Sequence, residues 1–251
     1  MSEQSPGSPA DPPVGGLGLS VVPLLLSSPS EAFRRLGADP KWIGQLIVMM
    51  LLIGVATWIR MPQDIVVQYE TTEGMLERMG ADDEAIDEAL LRIPDPDELT
   101  GGDVAKHVLP AMLGVTAFSF LGVLAFWLIA RVSGLQPGFH QAAAVYWTAH
   151  LAGGVGYLAL AGLVRMTDSV EVALSPAALV PGLEWGSPVY AFLNIFDVFS
   201  VATLYLLATG ARWTFGASSR MGWIVGGIYW TLGSVLGFAS QLFGSWAMGR
   251  N

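Results

Sequence analysis

The chain contains no cysteine. That excludes disulfides, thiolate metal sites and cysteine nucleophiles. Histidine is scarce as well: His107, His140 and His150 are the three, and none stands in an H-x-x-x-H or H-E-x-x-H spacing. No P-loop, G-x-G-x-x-G or G-x-S-x-G is present. "FGASSR" at 215–220 has the look of a serine site, but Ser and Gly beside Arg in a loop read as a turn. The carboxylates lack the D-x-[DN]-x-[DN]-G spacing of a calcium loop. The net charge is −9 and no basic patch stands out, so nucleic acid is not an expected partner. The expectation is a protein that is not an enzyme, with no cofactor and no metal.

Charge is the other shortage. Only 13% of the 251 residues are charged, against about 25% in soluble domains. What fills the chain instead is apolar: 53% hydrophobic, nine Trp, thirty Gly and a mean hydropathy of +0.53. Five apolar runs stand out, at 42–59, 107–130, 141–164, 188–209 and 221–243. A hydrocarbon core needs about 20 helical residues, and each run is long enough. Nothing alternates as barrel strands do. The expected fold is all-α: a polytopic membrane protein of five transmembrane helices within residues 29–243, embedded in a lipid bilayer.

The ends and the first loop read separately. Residues 1–28 are expected to be a disordered Pro/Gly/Ser-rich tail, and "VVPLLL" is too short for a signal-peptide core. A short helix should start at Pro29 or Ser30 and end at Gly37, before Pro40. Phe33 and Leu36 share one face of it, with Arg34 and Arg35 beside them, which suits a helix lying at the membrane interface. Between the first and second runs, 61–106 reads as a small acidic helical insert. Ile65, Tyr69, Thr72, Leu76 and Met79 repeat at helical spacing, with Gly80 as C-cap, and a second short helix runs from Asp82 or Asp83 to Leu91. Residues 244–251 are a C-terminal tail.

Two features inside the runs carry functional or packing signals. The fifth run holds Gly222-xxx-Gly226 and Gly233-xxx-Gly237, and the third holds Ala149-xxx-Gly153 and Ala152-xxx-Gly156. Small residues four apart let helices approach closely in lipid, either within one bundle or between copies. The fourth run holds Asn194 and Asp197. A central Asp costs about 2.5–3.5 kcal/mol on insertion, and eleven Leu, Ile, Val and Phe residues at about −0.3 to −0.6 kcal/mol each offset it. Asp197 should therefore face the bundle or a wet cavity, with Asn194 beside it in a polar stripe. His150 lies at matching depth in the third run, and a His150–Asp197 contact would satisfy both groups. Such a contact would resemble a proton-relay pair of a transport path; the alternative is that Asp197 bonds a Tyr, Thr or backbone group and only fixes helix packing.

Several segments together resemble the Yip1-domain family, bacterial branch. "PSEAFRRLGADPKWIGQL" (29–46) is similar to the family's opening, with its Pro, aromatic and P-x-W before the first span. "ARVSGLQPGFHQAAAVYWTAH" (130–150) resembles its second turn, and "LNIFDVFSVATLYLLATGAR" (193–212) its fourth span. "MLERMGADDEAIDEAL" resembles inserts of bacterial members. The resemblance covers roughly 29–243. It implies five helices and a cytoplasmic N-terminus and, for the bacterial branch, a fold with little established chemistry. The bundle itself shows no internal repeat and its five spans do not divide evenly, so the expected role is a scaffold or adaptor engaging other membrane proteins or itself. Eukaryotic members are linked to vesicle trafficking through small GTPases. Their "DLYGP"-type motif is absent here, and that activity does not carry over. A transporter or permease subunit built around Asn194, Asp197 and His150 is the alternative. Ten Arg to two Lys, with much Ala and Gly, fits a GC-rich bacterial genome.

The near-span basic residues are Arg34, Arg35, Lys41, Arg131, Arg212 and Arg220 on the N-terminal side, against four on the other. The positive-inside rule then puts the N-terminus in the cytoplasm of a bacterial inner membrane. In this cysteine-free chain a Cys at Glu84 should react with an impermeant maleimide in intact cells. Reaction only after the cytoplasmic side is opened would reverse the orientation.

Overall fold

The computed structural model describes residues 16–96, 98–185 and 187–247, and side chains through 243. Among the described residues the chain is all-helical. The long elements are α3 (Ile43–Arg78), α5 (Gly101–Val132), α6 (Phe139–Thr167) and α9 (Ser219–Ala247). Four helices are long and apolar enough to cross a membrane. A fifth crossing exists if α7 (Pro188–Asn194) and α8 (Val198–Thr214), bent by 46° at their junction, count as one broken span.

The centre of the bundle is α6. Every residue from Ala142 to Ala149 is buried, Trp147 at 1% exposure among them. A helix apolar on all faces must be surrounded, and α3, α5 and α8 pack around it, with α9 against α8 and α5. Where backbones come close, glycine makes room. A Cβ at Gly154 would sit 2.6 Å from the Met49 sulfur, and one at Gly122 would overlap the Tyr146 hydroxyl. By contrast α5 is peripheral: only 11% of its apolar window is buried, and Leu113, Phe118 and Leu121 point outward.

One end of the bundle is closed by the short helices. The expected disordered tail is corrected here. Residues 1–15 lie outside the described residues, but Leu19–Val21 forms a 3-10 turn and α1 covers Val22–Ser27. The apolar "VVPLLL" has somewhere to go: Val21 is fully buried in the core beside α2 (Pro29–Ala38). Gly18, at φ 85°, lets the chain turn so that its carbonyl accepts from Gln45 Nε2 at 2.9 Å. Phe33 and Leu36 are also fully buried, so α2 turns its apolar face into the protein and not into lipid. The buried Thr214 hydroxyl donates to the Phe33 carbonyl at 2.9 Å and locks α2 to α8. Arg34 and Arg35 stay at the surface side of α2 and both bond Glu31, which holds that carboxyl below its usual range.

The insert differs from expectation at its first helix. The first span and that helix are one element, α3, 36 residues and about 54 Å long at 1.5 Å per residue. Pro62 lies inside it without ending it. Gly80, at φ 74°, stops the turn after α3 as expected. Then α4 (Asp83–Leu90) starts on Asp82, whose carboxylate accepts from the Ala85 amide at 2.9 Å. Met61, Ile65 and Ile93 form a small separate core under it. A Thr100–Asp103 capping box opens α5. At the other terminus α9 continues to Ala247, into the expected tail; residues 248–251 lie outside the described residues.

The glycine pairs divide. Gly222 and Gly226 are the seam between α9 and α8: a Cβ would stand 2.5 Å from the Ala208 carbonyl oxygen and 3.0 Å from the Ala208 amide, respectively. At Gly156 a Cβ would stand 2.5 Å from the Phe199 ring, while at Gly153 the contact is an ordinary 3.8 Å. Gly233 and Gly237 pack against nothing within 4 Å, so the second expected seam on α9 is absent from the fold. Gly222→Ala should cost about 1–3 kcal/mol as an overpacked contact against rigid backbone. Gly237→Ala should gain about 0.5–1 kcal/mol by helix propensity alone. Equilibrium unfolding in mixed micelles measures both, and equal effects would refute the assignment.

Candidate functional site

Asp197 is not mid-helix. It is the N-cap of α8, with φ −65° and ψ 154°, and its Oδ1 accepts from the Phe199 and Ser200 amides at 2.9 Å each. Asp is a poor helix-interior residue because its short carboxylate competes for nearby backbone amides, and a strong cap for the same reason. Ser187 caps α7 in the same way, accepting from the Tyr190 amide at 3.2 Å. Two caps ten residues apart divide one apolar run into two helices.

The 46° bend opens a cavity of about 750 Å³. The break supplies Asn194 and Asp197, and the first turns of α8 supply Phe199, Ser200 and Thr203. Across from them, α6 contributes His150, Gly153, Gly156 and Tyr157. α9 contributes Tyr229, Trp230, Gly233 and Gly237, and α3 brings Arg60. Trp185, from the segment before α7, closes the outer rim together with Tyr190, their ring centroids 6.4 Å apart.

The expected polar residues therefore meet, but not as a pair. Asn194 and Asp197 sit on different helices, so there is no continuous polar stripe. His150 and Asp197 share the cavity wall, yet both spend their hydrogen bonds on backbone. His150 Nδ1 lies 2.9 Å from the Tyr146 carbonyl, and its ring stacks on Tyr146 at 3.9 Å. The antiparallel runs do bring the two residues to one cavity, but the break gives Asp197 nearer partners in the backbone amides of α8.

Three contributors were not legible as site residues. Arg60 closes the first apolar run, where it reads as a loop charge; it bonds Asp64 at 2.9 Å and lies 5.6 Å over the Tyr157 ring. Trp230 donates to the Ser200 hydroxyl at 2.9 Å, tying α9 to the first turn of α8. Tyr229 donates to the Tyr146 hydroxyl at 3.2 Å at the cavity floor. The one available signal was Asp197 with small or polar residues downstream, a cap pattern. Among the described residues no group of three His, Asp or Glu is placed to hold a metal ion.

The chain is similar to "Membrane protein YknW" from Bacillus subtilis (strain 168), at 26% identity over 200 residues, which covers 80% of each chain. The chain is a multi-pass membrane protein. No family model matches it, and no solved structure matches it.

The cap makes a direct stability prediction. Asp197→Ala should cost about 0.5–2 kcal/mol, while Asp197→Asn, an equally good cap, should stay within about 0.5 kcal/mol. Unfolding in mixed micelles distinguishes them. Equal losses for Ala and Asn would show that charge, not capping, is what Asp197 contributes to the fold.

Proposed function

We propose that this protein is a non-enzymatic scaffold of the bacterial Yip1-like type, which engages other membrane proteins. In this reading α7 and α8 are one broken span, giving five crossings. The N-terminus and the end carrying α2 lie in the cytoplasm of the inner membrane, and α4 lies outside. The observation that carries it is the solid packing beneath the cavity. Val145, Leu207 and Phe33 are completely buried where α2, α6 and α8 meet, so the cavity ends blind against a packed core. A close-packed layer offers no aqueous path. Two cation–aromatic contacts at the α2 end, Arg131 over Trp127 at 4.6 Å and Arg212 over Trp213 at 4.9 Å, support an interface anchor on the cytoplasmic side.

The transporter reading has one observation in its favour: broken helices at a polar cavity recur in transporters. The two readings part experimentally. A photo-crosslinking residue at Leu121, on the outward face of α5, should give a discrete protein adduct in the native membrane. Adducts with lipid alone, together with solute uptake by liposomes containing only this protein, would replace the scaffold by the transporter.

A further inference from the structure

We propose that the cavity beside the α7–α8 break binds an amphipathic organic cation, with Asp197 as counter-ion and the surrounding aromatic rings as its cage. The proposal concerns the cavity alone and stands apart from the scaffold reading.

Charge comes first. Arg60 and Asp197 carry the formal charges on the lining. Arg60 has its partner in Asp64, outside the lining, and a second contact on the Tyr157 ring. Asp197 has amides on Oδ1 and no Lys, Arg or His nitrogen within ion-pair distance among the described residues; Oδ2 has no hydrogen-bond partner there. The cavity therefore holds one negative charge without a matching positive one. A carboxylate at membrane depth is costly unless a counter-charge sits beside it.

The walls then choose the kind of cation. A small metal ion keeps its water or asks for several oxygen ligands, and one carboxylate oxygen among aromatic rings is a poor substitute. An organic cation with a spread charge needs no such shell, and aromatic faces attract it directly. Phe199, Tyr229, Trp230 and Trp185 all border the space. The Ser200 bond fixes the Trp230 ring in place, so this wall is preformed. Gly233 and Gly237 add a flat strip of α9 with nothing within 4 Å of either Cβ position, where an apolar body can lie. At about 750 Å³ the space falls within the roughly 300–1,000 Å³ typical of pockets for drug-sized ligands.

The test uses two probes of nearly equal size and opposite charge, tetraphenylphosphonium and tetraphenylborate. The full-length protein in phosphatidylcholine nanodiscs is titrated with each, and tryptophan quenching is read against protein-free discs. Tetraphenylphosphonium should quench saturably and tetraphenylborate should not. Asp197→Asn keeps the cap and removes the charge, so it should weaken tetraphenylphosphonium binding by at least about thirtyfold. Gly233→Leu puts a side chain into the empty strip and should weaken binding similarly, with thermal stability unchanged. The proposal is overturned by absence of saturable tetraphenylphosphonium quenching. Equal binding by the Asn variant, or tighter binding of tetraphenylborate, would overturn it too.

Discussion

A backbone amide left unpaired in hydrocarbon costs several kcal/mol, so a helix can break inside a membrane only where something else meets the freed groups. At the α7–α8 junction Asp197 does this for two amides: its carboxylate takes those of Phe199 and Ser200 where the chain bends by 46°. The rest of this half of the bundle follows. α7 still touches α9, but a Cβ at Gly233 or Gly237 would meet nothing within 4 Å, and both glycines border the cavity.

The other half is built on the opposite principle. Around Ala142–Ala149 four alanines stand beside the buried Tyr146 and Trp147, and helices close in until glycine is needed at the contacts. Phe33 enters this layer from α2 and fills the space over Gly210, where a Cβ would stand 3.0 Å from the Phe33 ring. A single chain thus has a solid end and a hollow end. The solid end fixes the positions of α6 and α8 from which the hollow end is hung, which is why the cavity has a rigid floor and an open rim.

Much of this was legible in the sequence, and the limits have physical causes. The four long helices were readable because hydrocarbon thickness sets a length that composition alone reveals. The short helix at Pro29 was readable from its Pro and Gly punctuation. Its burial was not, because an amphipathic helix looks the same whether its apolar face meets lipid or protein. The helical turns of residues 19–27 are hidden for a related reason: Pro and Gly suggest disorder, and only tertiary contact shows Val21 to be core. Asp197 was read as a charge within a helix because hydropathy counts the carboxylate's cost and ignores the amides it can satisfy. Arg60 was invisible because its role depends on which helices meet at its height.

The cap and the cavity also bear on each other electrostatically. The N-terminus of α8 carries roughly +0.5 of an elementary charge, and Asp197 sits against it with a full negative one. The amides therefore cancel part of the carboxylate's field, which helps explain how the chain accommodates an ionised group there. They leave a residue of negative potential at the unbonded oxygen. One carboxylate oxygen among aromatic rings is a poor exchange for the water of a compact divalent ion, whereas a monovalent charge that is already poorly hydrated gives up little to sit there. The same two hydrogen bonds that permit the helix to break thus set both the sign and the softness of what the resulting cavity can accept.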